Sequence, residues 1–383
     1  MSRTPNPRCT DLIATAREVL KHLPDTDIRS AFLFGSAVWG DADEASDLDI
    51  MLLLDRPASY REVTRVRLAD LFGHPLASGP VFADLDRVSA EGFADIVEKG
   101  GAGHRLAHSV ILADTNGFFE RLRDSVMSEF LSPAAREARV LKKREQAEAH
   151  RAAARAAAGR DDDLAALHSR LALEGAGATL IELNDDRLSV THYVDSVERA
   201  LLALDAGRLF EPFLQALALD APLECADRSR RAYDAFANAL RGWMADHHIR
   251  ERLSQEDLAW AEFTYGEQTY EEIHHKVAAL QQPGRTPRLL YYLDGLLMVP
   301  IRINVGKIFL LRATGAAGRM SIPDFQVALR AELALYEHWV SGLRLGSLRN
   351  RVQEADDLAA QLLGLGDTRP GQAAPGAPRT PAL

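Results

Sequence analysis

Three observations predict an α+β fold: a small mixed sheet with helices, followed by a mainly helical bundle region. Short apolar runs bounded by turn residues recur over the first 130 positions, at residues 31–34, 47–54, 81–88 and 106–112. After Pro133 the composition changes abruptly to strong helix formers, AAREARVLKKREQAEAHRAAARAAAG, with Gly159 as a stop. The chain beyond keeps long apolar stretches punctuated by Gly284, Pro287, Pro300 and Gly306. The expected organisation is a sheet domain over 1–130, a helical domain over 131–250, and a mainly helical C-terminal region over 251–365. The tail, 366–383, has four prolines and three glycines in 18 residues and no apolar periodicity, so disorder is expected there.

In chain order, residues 11–22 (DLIATAREVLKH) have helical apolar spacing and should pack on the sheet. The strand at 31–34 (AFLF) ends at Gly35-Ser36, and a short helix is expected at 37–40. A turn-rich acidic stretch then leads into a strand carrying Asp47 and Asp49 ahead of the apolar residues 50–54. Residues 60–72 read as a helix stopped by Gly73-His74-Pro75. The strand at 81–88 follows Ser78, Gly79 and Pro80, and a helix takes up 89–98. Beyond glycines 100, 101 and 103, a strand over 106–112 ends at Asp114, Asn116-Gly117 turns the chain, and 118–130 is a helix. One long helix runs from Pro133 to Gly159, its basic residues forming a solvated face or, for Arg151 or Arg155, meeting a phosphate. Asp161, Asp162 and Asp163 cap the next helix.

Asp47, Asp49, Met51 and Leu53 share one face of their strand, because side chains alternate with a period of two. Two carboxylates opening an otherwise apolar strand are costly to bury without a cation, and Mg²⁺ is the simplest one that takes carboxylates, phosphates and water together. A glycine directly after a strand allows a sharp turn and a close approach to a ligand. The hydroxyl of Ser36 and the amides after it can cradle phosphate.

Gly-Ser, ten intervening residues, then Asp-apolar-Asp resembles the signature of the nucleotidyltransferase superfamily that includes DNA polymerase beta. Ser46-Asp47-Leu48-Asp49 also matches its Ser-Asp-x-Asp form, and Gly40 stands where a second glycine is common. The resemblance implies a palm domain that moves a nucleoside monophosphate from an NTP, ATP by default, to an acceptor hydroxyl. Gly35, Ser36 and Ser46 would bind the nucleotide, and Asp47 and Asp49 would bind Mg²⁺. A third carboxylate from a neighbouring strand would complete a two-ion site with ~3.5–4 Å between the ions. Asp84 and Asp86 point the same way, so spacing does not choose between them. The following Ser89-Ala90-Glu91 resembles the helix start of kanamycin nucleotidyltransferase-type enzymes, which favours Asp84. Diffuse similarity to the helical domain of those enzymes continues through Ala176-Gly177-Ala178-Thr179-Leu180-Ile181 and Leu240-Arg241-Gly242-Trp243. It implies a catalytic general base at Glu148, after a one-residue slip, with Glu145 as the alternative. An aminoglycoside-like acceptor follows from the same resemblance. The alternatives are nucleotidylation of a protein or antitoxin-type partner, and a nucleotide-sensing scaffold without turnover.

Composition narrows the classes. Two cysteines, Cys9 and Cys225, provide neither a disulfide framework nor a cysteine-based zinc site. The first ten residues have no apolar signal-peptide core, and residues 289–311 are broken by charges and Pro300, so a cytoplasmic chain with no membrane span is expected. The net charge of −10 is uneven, with −7 over the first 130 residues and +5 over 131–160. An acidic body argues against broad nucleic-acid binding and suits a cationic acceptor. Adjacent histidines on a helix point about 100° apart, so neither His247-His248 nor His274-His275 is expected to chelate a metal as a pair. The region 251–365 has no role from the resemblance and could serve a protein partner or a homodimer.

Overall fold

Strand pairing explains why the acidic residues meet. The computed structural model describes residues 6–44, 46–74, 81–98, 103–186, 188–302, 306–314 and 321–366. Its elements begin with α1 (Pro7–His22), β1 (Ile28–Phe34), α2 (Ser36–Trp39), β2 (Leu48–Leu54), β3 (Arg61–Arg67), α3 (Leu68–Phe72) and β4 (Phe82–Ser89). They continue with α4 (Ala90–Glu98), α5 (Gly103–Ala107), β5 (Val110–Asp114), α6 (Phe118–Phe130), α7 (Pro133–Ala157) and α8 (Asp162–Leu183). Next come α9 (Tyr193–Ala203), α10 (Phe210–Ala216), α11 (Glu224–Met244), α12 (His247–Arg250), α13 (Gln255–Tyr265) and α14 (Glu267–Leu280). The last are α15 (Thr286–Arg302), α16 (Gly306–Thr314), α17 (Ile322–Arg330), α18 (Leu333–Gly342), α19 (Leu345–Arg349) and α20 (Val352–Gly364). The architecture is α+β, a five-stranded mixed sheet followed by a helical bundle.

The chain forms two compact units. The sheet unit comprises the residues up to Ser132 together with Ala259–Ala279, and the helical unit comprises Pro133–Leu258 and the described residues from Leu280 onward. Residues 259–279, within the region expected to stand apart over 251–365, thus pack with the sheet. The predicted tail lies outside the described residues beyond Gly366, as do the turn at 78–80 and the glycines at 100 and 101.

In the sheet unit the strand order is β3-β4-β2-β1-β5, with β2 and β4 parallel and the other neighbours antiparallel. Alternation gives each face its own core. Ala31, Leu33, Leu48, Ile50, Leu52, Ala83 and Leu85 pack with Leu12, Ala16 and Val19 of α1 on one side. Phe32, Met51, Leu53 and Val88 pack with Phe93 and Phe119 on the other.

Two elements differ from the sequence expectation. Residues 60–72 are not one helix: 61–67 form the edge strand β3, and only 68–72 are helical. The local sequence REVTRVR puts Arg61, Val63, Arg65 and Arg67 on one face at a period of two, and pairing with β4 decides against the helical reading. Residues 106–112 divide likewise, the first part closing the short helix α5 and the strand starting only at Val110.

The helical unit is built on α7 and α8. Asp161 caps α8 by accepting from the Leu164 amide at 3.1 Å. Gly175 lets the two helices approach until an added Cβ would lie 2.9 Å from the Cβ of Ala147. The core of this unit contains a charged network. Arg170 donates to Glu174 at 3.0 Å and to Asp294 at 2.6 Å, and Arg344 donates to the same Asp294 oxygen at 2.5 Å. Burial disfavours the charged guanidinium, yet Asp294 and Glu174 hold Arg170 protonated, above its ordinary range. Nearby, the Nδ1 atoms of His150 and His168 lie 3.1 Å apart. Among the described residues no helix is long and apolar enough to cross a membrane.

Candidate active site

Gly35 ends β1 with φ +78°, the left-handed region that side chains avoid. The turn brings its backbone directly onto the acidic strand, where an added Cβ would lie 2.0 Å from Oδ2 of Asp49. Ser36 follows, buried at the start of the one-turn helix α2, and Ser46 is buried just before β2. The Ser46 hydroxyl accepts from the Asp43 amide at 2.9 Å, so it also closes the loop that presents Asp47.

Parallel pairing of β2 with β4 sets Asp49 opposite Asp84, and Asp47 stands at the entrance to β2. One carboxylate oxygen from each of Asp47, Asp49 and Asp84 lies within 4.8 Å of the others. The alternative third carboxylate, Asp86, is two residues further along β4, opposite Met51. It pairs instead with Arg105 at 3.2 Å and with Arg61 at 3.8 Å. Geometry therefore selects Asp84.

Two cations already stand in this cluster. Arg65, directly across from Asp84 on β3, grips both of its oxygens at 2.6 Å. Lys276 of α14 donates to Asp47 at 2.8 Å and pairs at 2.5 Å with Glu272, one helical turn before it. Glu272 also meets Arg65, at 2.5 Å. The same helix adds Glu271, which pairs with Arg67. The rings of Trp260 and Phe263 on α13 lie under the guanidinium groups of Arg61 and Arg65. The arginine face of β3 thus docks α13 and α14.

The four carboxyl groups respond differently. Burial would raise Asp47, but the charge and hydrogen bond of Lys276 bring it down to about 2. Asp49 makes no ion pair among the described residues; burial, then the charges of Asp47 and Asp84, push it up to about 8. Burial also raises Asp84 despite Arg65, and takes Glu272 up to about 7. The donors are all carboxylate oxygens, the set suited to a hard divalent cation, and Asp49 is a half-buried carboxylate that makes no ion pair among the described residues. These residues fit a metal ion.

Residues 16–73 match the family model described as Polymerase beta, Nucleotidyltransferase. The sheet unit carries a nucleotidyltransferase-like domain. The match covers Gly35, Ser36, Ser46, Asp47 and Asp49 and stops before Asp84 and α14. No curated protein matches the chain.

Glu148, Glu145, Arg151, Arg155, His247 and His248 belong to the helical unit. Glu148, on α7 in the helical unit, is half-exposed and accepts both bonds from Arg151 Nη1 at 2.9–3.0 Å. Glu145 is an exposed residue of the same helix. Arg151 and Arg155 both hold Asp356 of α20, at 2.9 Å and 2.6 Å, and so fasten the last helix to α7. His247, His248 and Glu251 place three possible metal-ligand atoms within 4.8 Å of one another on an exposed surface, a grouping that needs the carboxylate one turn on as well as the histidines.

The carboxylate cluster also has polar members that sequence reasoning missed: Arg65, Glu272 and Lys276. Arg65 was hidden by the helical reading of 60–72. Glu272 and Lys276 show only the ordinary i, i+4 spacing of a solvated helix face. No local signal connects them to Asp47, 229 residues from Lys276.

Proposed function

We propose that the sheet unit is the catalytic domain of a Mg²⁺-dependent nucleotidyltransferase that moves a nucleoside monophosphate from an NTP, ATP by default, to an acceptor hydroxyl. The observation carrying this reading is the convergence of Asp47, Asp49 and Asp84 beside the close backbone turn at Gly35, in the domain whose sequence matches the family. Bound Mg²⁺ would neutralise the phosphates and stabilise the charge that develops at phosphorus. Asp47, Asp49 and Asp84 would hold it. The Gly35 backbone and the hydroxyls of Ser36 and Ser46 would orient the terminal phosphates. In the reaction the acceptor oxygen forms a bond to the α-phosphorus, the bond from that phosphorus to the bridging oxygen breaks, and pyrophosphate leaves. The acceptor's proton passes to a carboxylate base, for which Glu148 is the candidate on the kanamycin nucleotidyltransferase-type resemblance.

We favour a small polycationic acceptor of the aminoglycoside type, on the strength of that resemblance and of the net negative charge of the first 130 residues. The deciding experiment offers α-labelled NTP and Mg²⁺ with a panel of aminoglycosides, and then with cell extract. Label on the small molecule supports the reading, and label on a protein reassigns the acceptor. No transfer under either condition, with nucleotide still bound, returns the chain to a sensing or scaffolding role. Glu148→Gln should lower kcat by about 10²-fold or more if it is the base; unchanged kcat removes it from the chemistry.

A further inference from the structure

α14 brings a cation of the chain's own into the carboxylate cluster. We propose that Lys276 permanently takes the place of one metal ion there, so that the site works with a single divalent cation rather than a pair. The inference rests on the nucleotidyltransferase reading and sharpens it.

Four carboxyl groups, Asp47, Asp49, Asp84 and Glu272, face two side-chain cations, Arg65 and Lys276. When ionised they leave two negative charges, which one divalent ion neutralises. Without nucleotide a second ion would leave the cluster net positive, and with nucleotide bound the phosphates offset that charge, so the obstacle to a second ion is that Arg65 and Lys276 already occupy carboxylate oxygens. Both oxygens of Asp84 are engaged by Arg65, and an oxygen of Asp47 is held by Lys276. Asp49 makes no ion pair among the described residues, although the charges of Lys276 and Arg105 reach it. A second ion beside Asp47 would have to displace the Lys276 ammonium.

Lys276 is also fixed from behind. Glu272 holds its ammonium one turn earlier on the helix, while Arg65 holds Glu272 and Asp84 together. Both lysine and glutamate side chains are almost fully enclosed, at 13% and 4% exposure. An ammonium held in this way cannot give the transition state the direct phosphate bridge of a second metal. It would neutralise Asp47 without one.

The test is electron paramagnetic resonance of the full-length protein with Mn²⁺ and a non-hydrolysable ATP analogue. Two Mn²⁺ ions ~3.5–4 Å apart couple their spins, whereas one ion gives an isolated six-line spectrum. The wild type should show the isolated spectrum. Lys276→Met, which keeps the length of the side chain and removes its charge, should show the coupled pair or bind Mn²⁺ about tenfold more tightly. Lys276→Arg should behave as the wild type. A coupled pair in the wild type overturns the inference and leaves nucleotidyl transfer standing, whether or not the Met variant folds. Identical spectra and affinities for wild type and a folded Lys276→Met also overturn it. Absence of bound Mn²⁺ from both proteins overturns the metal-dependent reading along with it.

Discussion

The sheet unit and the helical unit each bury a cluster of charges, and the two are balanced differently. In the helical unit Arg170 and Arg344 face Asp294 and Glu174, two cations against two anions. In the sheet unit Arg65 and Lys276 face four carboxyl groups. Charges that cancel one another serve packing and fix how helices meet. A surplus of one sign has no packing use, because desolvation penalises it. The excess of carboxyl groups around Asp49 is what a bound cation would relieve, whereas the network around Asp294 is already balanced.

Mutation should separate the two clusters. The largest effect is expected at Asp49: on the proposed function, Asp49→Asn should reduce transfer by about 10³-fold or more, since a bound metal would supply several kcal/mol of charge stabilisation. Its melting temperature should hold or rise, because the change relieves like-charge repulsion. A steady-state assay beside a thermal melt checks both, and a large loss of stability would make Asp49 structural. Asp294→Ala should do the opposite. It leaves Arg344 without its buried anion and Arg170 with Glu174 alone, and should cost about 3–5 kcal/mol in denaturant unfolding while leaving Mn²⁺ affinity unchanged. Altered Mn²⁺ affinity would show that the clusters are energetically coupled.

Asp84→Asn and Asp86→Asn sharpen the comparison inside the sheet unit. The first should weaken metal binding by about tenfold or more. The second takes a partner from the half-exposed Arg61 and Arg105 and should leave Mn²⁺ affinity unchanged. Equal effects on Mn²⁺ titration would return the third carboxylate to the undecided state in which spacing left it.

The smallest effect concerns pH in the helical unit. Burial, and then the proximity of His150, lowers His168 to about 4. Its folded pKa lies below the unfolded value of about 6.5, so the unfolded chain binds the proton more readily. The stability it contributes is complete above about pH 6.5 and is lost as pH falls toward 4. Melting temperatures of the wild type should decline across that window, and those of His168→Gln should decline less. Parallel curves would assign the acid sensitivity elsewhere.

The comparison also explains what could be read in advance. The apolar alternation around Ala31, Leu33, Ile50 and Leu52 made the central strands legible, because each face buries its own side. Gly35, Ser36, Asp47 and Asp49 were legible because their chemistry is compressed into fifteen consecutive residues. Asp84 needed strand pairing to part it from Asp86. β3 failed because an arginine-rich edge strand carries no apolar stripe, and its arginines gain a purpose only when α14 arrives with Glu271 and Glu272. The helical unit's core cluster was invisible for the same reason: Arg170, Asp294 and Arg344 are far apart in sequence and each looks ordinary alone.

The 229-residue span between Asp47 and Lys276 also orders events in time. At a synthesis rate of about 5–20 residues per second, Asp47 leaves the ribosome roughly ten to fifty seconds before its lysine partner exists. During that interval the nascent sheet has its acidic strand without α14, while the whole of α7 through α12 is being made. Contacts of such long range are reached late and slowly even in a finished chain. The carboxylate cluster is thus among the last parts of the molecule to mature, and a ribosome stalled anywhere before residue 276 holds a sheet domain that has yet to receive its lysine.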